Sequence, residues 1–104
     1  MDDRVLKIAS EIKKNISAKH KIVDFRVFGS TARGSQGRES DIDILVVLDH
    51  VDRQIEEELF DIAYDIELKH DCLVDIIVLG KDALSGSLSY TPVYVRAMEE
   101  GIAI

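Results

Sequence analysis

Val5, Ile8, Ala9, Ile12 and Ile16 recur at three- and four-residue steps, with Lys7, Glu11, Lys13 and Lys14 between them. That period is a helix with one buried stripe, and it predicts an amphipathic helix over residues 3–19. The period then changes. Val23, Phe25 and Val27 alternate with Asp24 and Arg26, which predicts a strand buried on one face and ending at Phe28, before Gly29. Gly, Ser, Arg and Gln dominate from Gly29 to Ser40, a loop with room for one helical turn. Ile42 to Leu48 is almost continuously apolar and β-branched, as in a central strand covered on both faces. Ile55, Leu59, Ile62, Ala63 and Ile66 mark a second amphipathic helix, whose outer face carries Glu56, Glu57, Glu58, Asp61, Asp65 and Glu67. Such a face is ordinarily solvated, and a basic docking partner is the second reading. A third strand, Leu73 to Leu79, is interrupted by Asp75. Thr91 is placed to cap a last helix with Pro92 at its first position, and Gly101 to end it before Ile-Ala-Ile. The expected fold is α/β, a small mixed β-sheet flanked by helices, in one domain over residues 1–104.

Composition narrows the functions. Twenty acidic residues against thirteen Lys and Arg give a net charge of −7, which opposes an extended nucleic-acid or anionic-membrane surface but leaves room for a local basic pocket. The lysines around the end of the first helix, Lys13, Lys14, Lys19 and Lys21, are read as complementing its dipole. With one cysteine, Cys72, no internal disulfide can form, and the N-terminus does not read as a signal peptide. A reducing cytoplasm is therefore expected. No apolar run is long enough to span a bilayer. His20, His50 and His70 lack metal-ligand spacing. Cys72 is read as a small buried apolar residue, and Tyr64, Tyr90 and Tyr94 as packing residues, with stacking on a base or accepting a nucleotide as the alternative for one near the pocket. A chain of this length is short for enclosing two substrates, so part of the site is expected to come from a partner.

The chemistry concentrates between Gly29 and Asp43. Residues two apart on a strand share a face, so Asp41 and Asp43 project side by side and repel unless a cation lies between them. Hard oxygen ligands without His or Cys favour Mg²⁺, with Mn²⁺ as the alternative, and Mg²⁺ binds one or two carboxylates together with substrate phosphates. The stretch before them suits phosphate. Gly29 permits close backbone approach, Ser30 offers a hydroxyl, and Arg33 a fork of donors. Singly, Ser30 and Asp41 also fit turn caps, and Arg33 and Arg38 solvated loop charges. If the third strand neighbours the second, Asp75 brings a third carboxylate, able to hold a second ion or accept a proton from an attacking hydroxyl. Neither a P-loop nor a dinucleotide-binding glycine pattern is present.

Gly-Ser-Thr-Ala-Arg-Gly at 29–34, five further residues, then Ser-Asp-Ile-Asp at 40–43 on an apolar strand resembles the signature of the DNA polymerase β-like nucleotidyltransferase superfamily. Within it the chain is similar to the minimal nucleotidyltransferases (MNT), antitoxins of HEPN/MNT toxin–antitoxin pairs. The likeness is tight over Phe28 to Leu48 and looser at Asp75 and near the C-terminus. It implies the polymerase β-like fold, with Gly29, Ser30 and Arg33 on the nucleotide phosphates. It further implies Asp41, Asp43 and Asp75 as catalytic and metal-binding carboxylates; Asp71 is the rival for the third position. ATP would be the substrate, two Mg²⁺ the ions, and AMP the group moved, onto a tyrosine of a HEPN-type toxin. A small-molecule acceptor and a non-catalytic antitoxin that neutralises by contact are the alternatives. A homodimer, through the apolar tail or a sheet edge, is compatible with all of these.

Overall fold

The computed structural model describes residues 1–29, 41–85 and 91–104. Helix α1 (Asp3–Ser17) begins where the Asp2 side chain accepts from the Arg4 amide at 2.6 Å, and it buries the stripe read from its period: Val5, Ile8, Ala9, Ile12 and Ile16. Helix α2 (Arg53–His70) is capped the same way, with Asp52 accepting from the Ile55 amide at 2.8 Å. Helix α3 (Pro92–Glu100) has Thr91 as its N-cap, Pro92 in its first turn and Gly101 at its end, as expected. Capping of this kind satisfies amides that have no partner within the helix.

Strands β1 (Ile22–Phe28), β2 (Ile42–Leu48), β3 (Val74–Gly80) and β4 (Ile102–Ala103) form one mixed sheet in the order β3-β2-β1-β4. The β1–β2 and β1–β4 pairs are antiparallel, and β2–β3 is parallel, with α2 in the connection. A short 3-10 turn, Lys81–Ser85, follows β3.

Strand β2 is central, and its alternation divides the protein. Ile42, Ile44, Val46 and Leu48 face a core built with α1 and with Leu59 and Ile66 of α2. Leu45 and Val47 face the other way, into a smaller cluster with Phe28 and Ala97 of α3, edged by Ile77, Leu79 and Tyr94. Both sides of β2 are thus closed off from Ile44 to Leu48, as its apolar run there requires.

Strand β1 departs from simple alternation. Ile22 pairs with Leu48 and Asp24 with Val47, so Val23 is an extra residue, a β-bulge, and is half exposed. Beyond the bulge Phe25 and Val27 turn to the larger core and Phe28 to the smaller one. Asp24 and Arg26 pair with each other at 2.9 Å.

The apolar tail forms a strand that the sequence reading did not anticipate. Ile102 pairs with Val27 and Ala103 with Arg26, the Ile104 amide donates to the Phe25 carbonyl at 3.1 Å, and Ile104 packs against the larger core. Lys13 is held in the same arrangement by donating to the Ile104 carbonyl, which takes it out of the freely solvated set of lysines. Two residues are too short for any period to register.

Candidate active site

The two antiparallel and parallel ladders bring the expected carboxylates to one place. Directly opposed residues of neighbouring strands share a face. Asp43 is opposite Phe28 of β1 on one side and opposite Asp75 of β3 on the other. Leu45 and Ile77, in register two residues further along, belong to the smaller cluster. Asp43 and Asp75 are therefore on the α3 side of the sheet, where that apolar cluster stops. Asp41, exposed, lies just before β2 begins.

Charge and burial act together on Asp43. Its carboxyl is pushed above the usual carboxylate range, first by burial, then by the negative charges of Asp75 and Asp41, while Arg96 of α3 pulls the other way. Three like charges share this neighbourhood, and among the described residues Arg96 is the cation opposing them. Arg96 also pairs with Glu100, one turn on, at 3.3 Å.

Gly29 is buried next to them with φ +75°, a conformation that side chains rarely adopt. A Cβ built there would collide with the Asp43 carboxylate. The glycine that sequence reading assigned to close ligand approach thus has a further reason to be glycine: it makes space for Asp43 itself. Ser30, Arg33 and Arg38, and likewise Tyr90, lie outside the described residues.

The choice between Asp71 and Asp75 has a geometric basis. Asp71 is the C-cap of α2, left-handed at φ 51°, and reverses the chain towards β3. Asp75 is the residue in register with Asp43. Asp75 sits on the edge strand and is exposed, so its place at the site comes from register and not from burial.

Other expectations divide. His20 pairs with Glu58 at 3.2 Å and His70 with Glu11 at 3.1 Å, so these histidines tie elements together. Tyr94 packs in the smaller cluster, whereas Tyr64 is 59% exposed and does not pack. Cys72 is partly buried against the larger core. Sequence reading passed over Arg96; its sign among three aspartates was invisible before α3 was placed.

Among the described residues no three His, Cys, Asp or Glu side chains converge closely enough to cage an ion by themselves. The donor set still fits Mg²⁺, which takes one or two carboxylates and completes its shell with water and substrate phosphates. Gly29, having no side chain, leaves the Asp43 carboxylate the room it occupies.

A mixed sheet that gathers Asp43 and Asp75 beside the buried Gly29 is compatible with nucleotide-transfer chemistry, and the family match fixes the class. The chain belongs to the nucleotidyltransferase domain family, which it matches over residues 9–104. It is 35% identical over 80 residues to MJ0141 of Methanocaldococcus jannaschii, named a putative protein adenylyltransferase, covering 74% of this chain and 81% of that one. Among solved structures it resembles a minimal nucleotidyltransferase, itself named putative, with a TM-score of 0.65 and 26% identity over 100% of this chain and 97% of that one. It also resembles a toxin–antitoxin crystal structure with AMP-PNP, with a TM-score of 0.63 and 25% identity, covering 91% of this chain and 70% of that chain. The protein is accordingly an enzyme of the nucleotidyltransferase class, with the polymerase β-like fold expected from its signature. Among the described residues no helix is long and apolar enough to cross a membrane.

Proposed function

We propose that this nucleotidyltransferase moves AMP from ATP onto a tyrosine hydroxyl of a HEPN-type toxin and so acts as its antitoxin. The observation that carries the reading is the register of Asp43 with Asp75, beside Asp41 and against a glycine that gives Asp43 its space. In the reaction the hydroxyl oxygen attacks the α-phosphorus, the bond from that phosphorus to the bridging oxygen breaks, and pyrophosphate leaves. Asp75, exposed at the strand end, accepts the hydroxyl proton. Asp41 and Asp43, with Asp75, would hold Mg²⁺, which would offset the negative charge of the phosphates when bound. Gly29, Ser30 and Arg33 bind the nucleotide phosphates. The unit acts as a single minimal domain in a reducing cytoplasm, the compartment suited to its lone Cys72.

The name of the 35%-identical relative and the AMP-PNP of the toxin–antitoxin structure support ATP and a protein acceptor. The test is transfer from α-labelled ATP with Mg²⁺ to the purified toxin, with γ-labelled ATP and Asp41→Asn/Asp43→Asn as controls. Label on the toxin from the α-position alone, lost in the double variant, is the expected result. Neutralisation of the toxin without any label would leave the contact-only antitoxin as the correct reading.

A further inference from the structure

Helix α2 has two apolar faces, and the core uses one. Leu59, Ala63 and Ile66 are buried, with Ile55 and Ile62 packed partly against the same core. Phe60, Tyr64 and Leu68 are spaced by four residues on the opposite side, and are 44%, 59% and 66% exposed. At 100° per residue these three fall within an arc of about 80° pointing away from the sheet. Single exposed hydrophobics need no explanation; a row of three large ones, two of them aromatic, does.

The row is bordered by acid. On the helical wheel Asp61 and Asp65 lie along one side and Glu56 and Glu67 along the other. Glu67 is engaged, accepting from the Val74 amide at 2.8 Å, whereas Asp61 and Asp65 are exposed. A second copy of the chain packed on this stripe would bring the same acidic borders together, on a protein already at net charge −7. Like charges held opposite one another disfavour that arrangement. A surface with an apolar ridge between Lys or Arg rows satisfies both features at once.

The stripe also leads somewhere. As the chain leaves α2 it passes the exposed Leu73, whose carbonyl accepts from the Ile42 amide at 2.9 Å. Ile42 lies between Asp41 and Asp43. The C-terminal end of α2 thus lies at the same end of the sheet as the carboxylates, on the opposite face.

We infer that Phe60, Tyr64 and Leu68 form the docking surface for a partner protein presenting an apolar helical ridge flanked by basic residues. That this partner is the acceptor of the nucleotide rests on the function proposed above; the surface itself does not.

The test uses the full chain and three synthetic helical peptides: a leucine ridge flanked by lysines, the same ridge flanked by glutamates, and the lysine rows without the ridge. Binding is followed by amide chemical shifts. The lysine-flanked ridge is expected to perturb Phe60, Tyr64, Leu68 and their neighbours, and to bind at least about tenfold more tightly than either control, as charge and buried anchors together require. Tyr64→Ser/Leu68→Ser should lose that binding by about tenfold or more while keeping the melting temperature and Mg-ATP affinity. Equal binding of the lysine and glutamate peptides, shifts centred elsewhere, or no binding would each overturn the proposal. A concentration-dependent dimer abolished by the double variant would overturn it in favour of a second copy as the occupant. Specific peptide binding with no label transferred to any toxin would instead keep the surface and reject the adenylylation reading.

Discussion

The two faces of the sheet have different compositions and different duties. On one, α1 and α2 close over Ile42, Ile44, Val46 and Leu48 to form a core without a buried charge among its members. On the other, α3 covers only Leu45, Val47 and their neighbours, and beyond that cover β2 presents Asp43. Alternation within one seven-residue strand thus allots stability mainly to one side and chemistry to the other. The burden of folding carried by the first side lets the second tolerate three neighbouring acids.

The largest effect expected from this division is on transfer. Asp43→Asn should reduce it by about 100-fold or more, equivalent to the several kcal/mol that charge stabilisation at a metal site supplies, with the fold retained by circular dichroism. Full activity in this variant would break the assignment of chemistry to the α3 side. Next, Ile44→Ala, one residue away but facing the larger core, should lower stability by about 2–5 kcal/mol, read from urea unfolding. A loss below about 1 kcal/mol there would mean that the two faces do not differ as described.

Gly29→Ala tests the border between the faces. A left-handed conformation forced on alanine costs about 1–2 kcal/mol, and its methyl group would evict the Asp43 carboxylate. Transfer should therefore fall far more than stability; a variant that only loses stability would show that the glycine acts through the backbone alone.

The smallest effect is on pH dependence. Asp43 is held above the ordinary Asp range when folded, by burial first and then by Asp75 and Asp41. The folded protein therefore binds this proton more tightly than the unfolded chain. In the metal-free protein the resulting stability is fully present below the ordinary Asp pKa and is lost as pH rises through the folded value. Melting temperatures across that acid window should fall less with rising pH in Asp43→Asn than in the parent. Identical slopes would remove the strain assigned to the three carboxylates.

Much of this was legible in the sequence because it rests on periods and caps. The stripe of α1, the doubly buried β2, and Thr91, Pro92 and Gly101 around α3 are local signals. The pairing of Asp41 with Asp43 is local too, since residues two apart on a strand share a face. What could not be read depended on partners distant in sequence. The placing of Asp75 opposite Asp43 depends on β3 pairing with β2, which no local pattern fixes. Val23 looked like part of the buried series until the bulge was seen. Tyr64 shares a four-residue spacing with Phe60 and Leu68, a period that fits a buried stripe as well as the exposed one it forms, so exposure could not be read before the helix was placed.

The in-register pairing of Asp43 and Asp75 also bears on errors of assembly. Because successive residues alternate sides, a slip of β3 by one position would carry Asp75 to the hydrocarbon side and an isoleucine out of it. Such a molecule would lose its core and its carboxylate pair in the same event. Stability thereby acts as a proofreader for the site: a chain that has completed its larger core has set these two acids on the same, opposite face of the sheet.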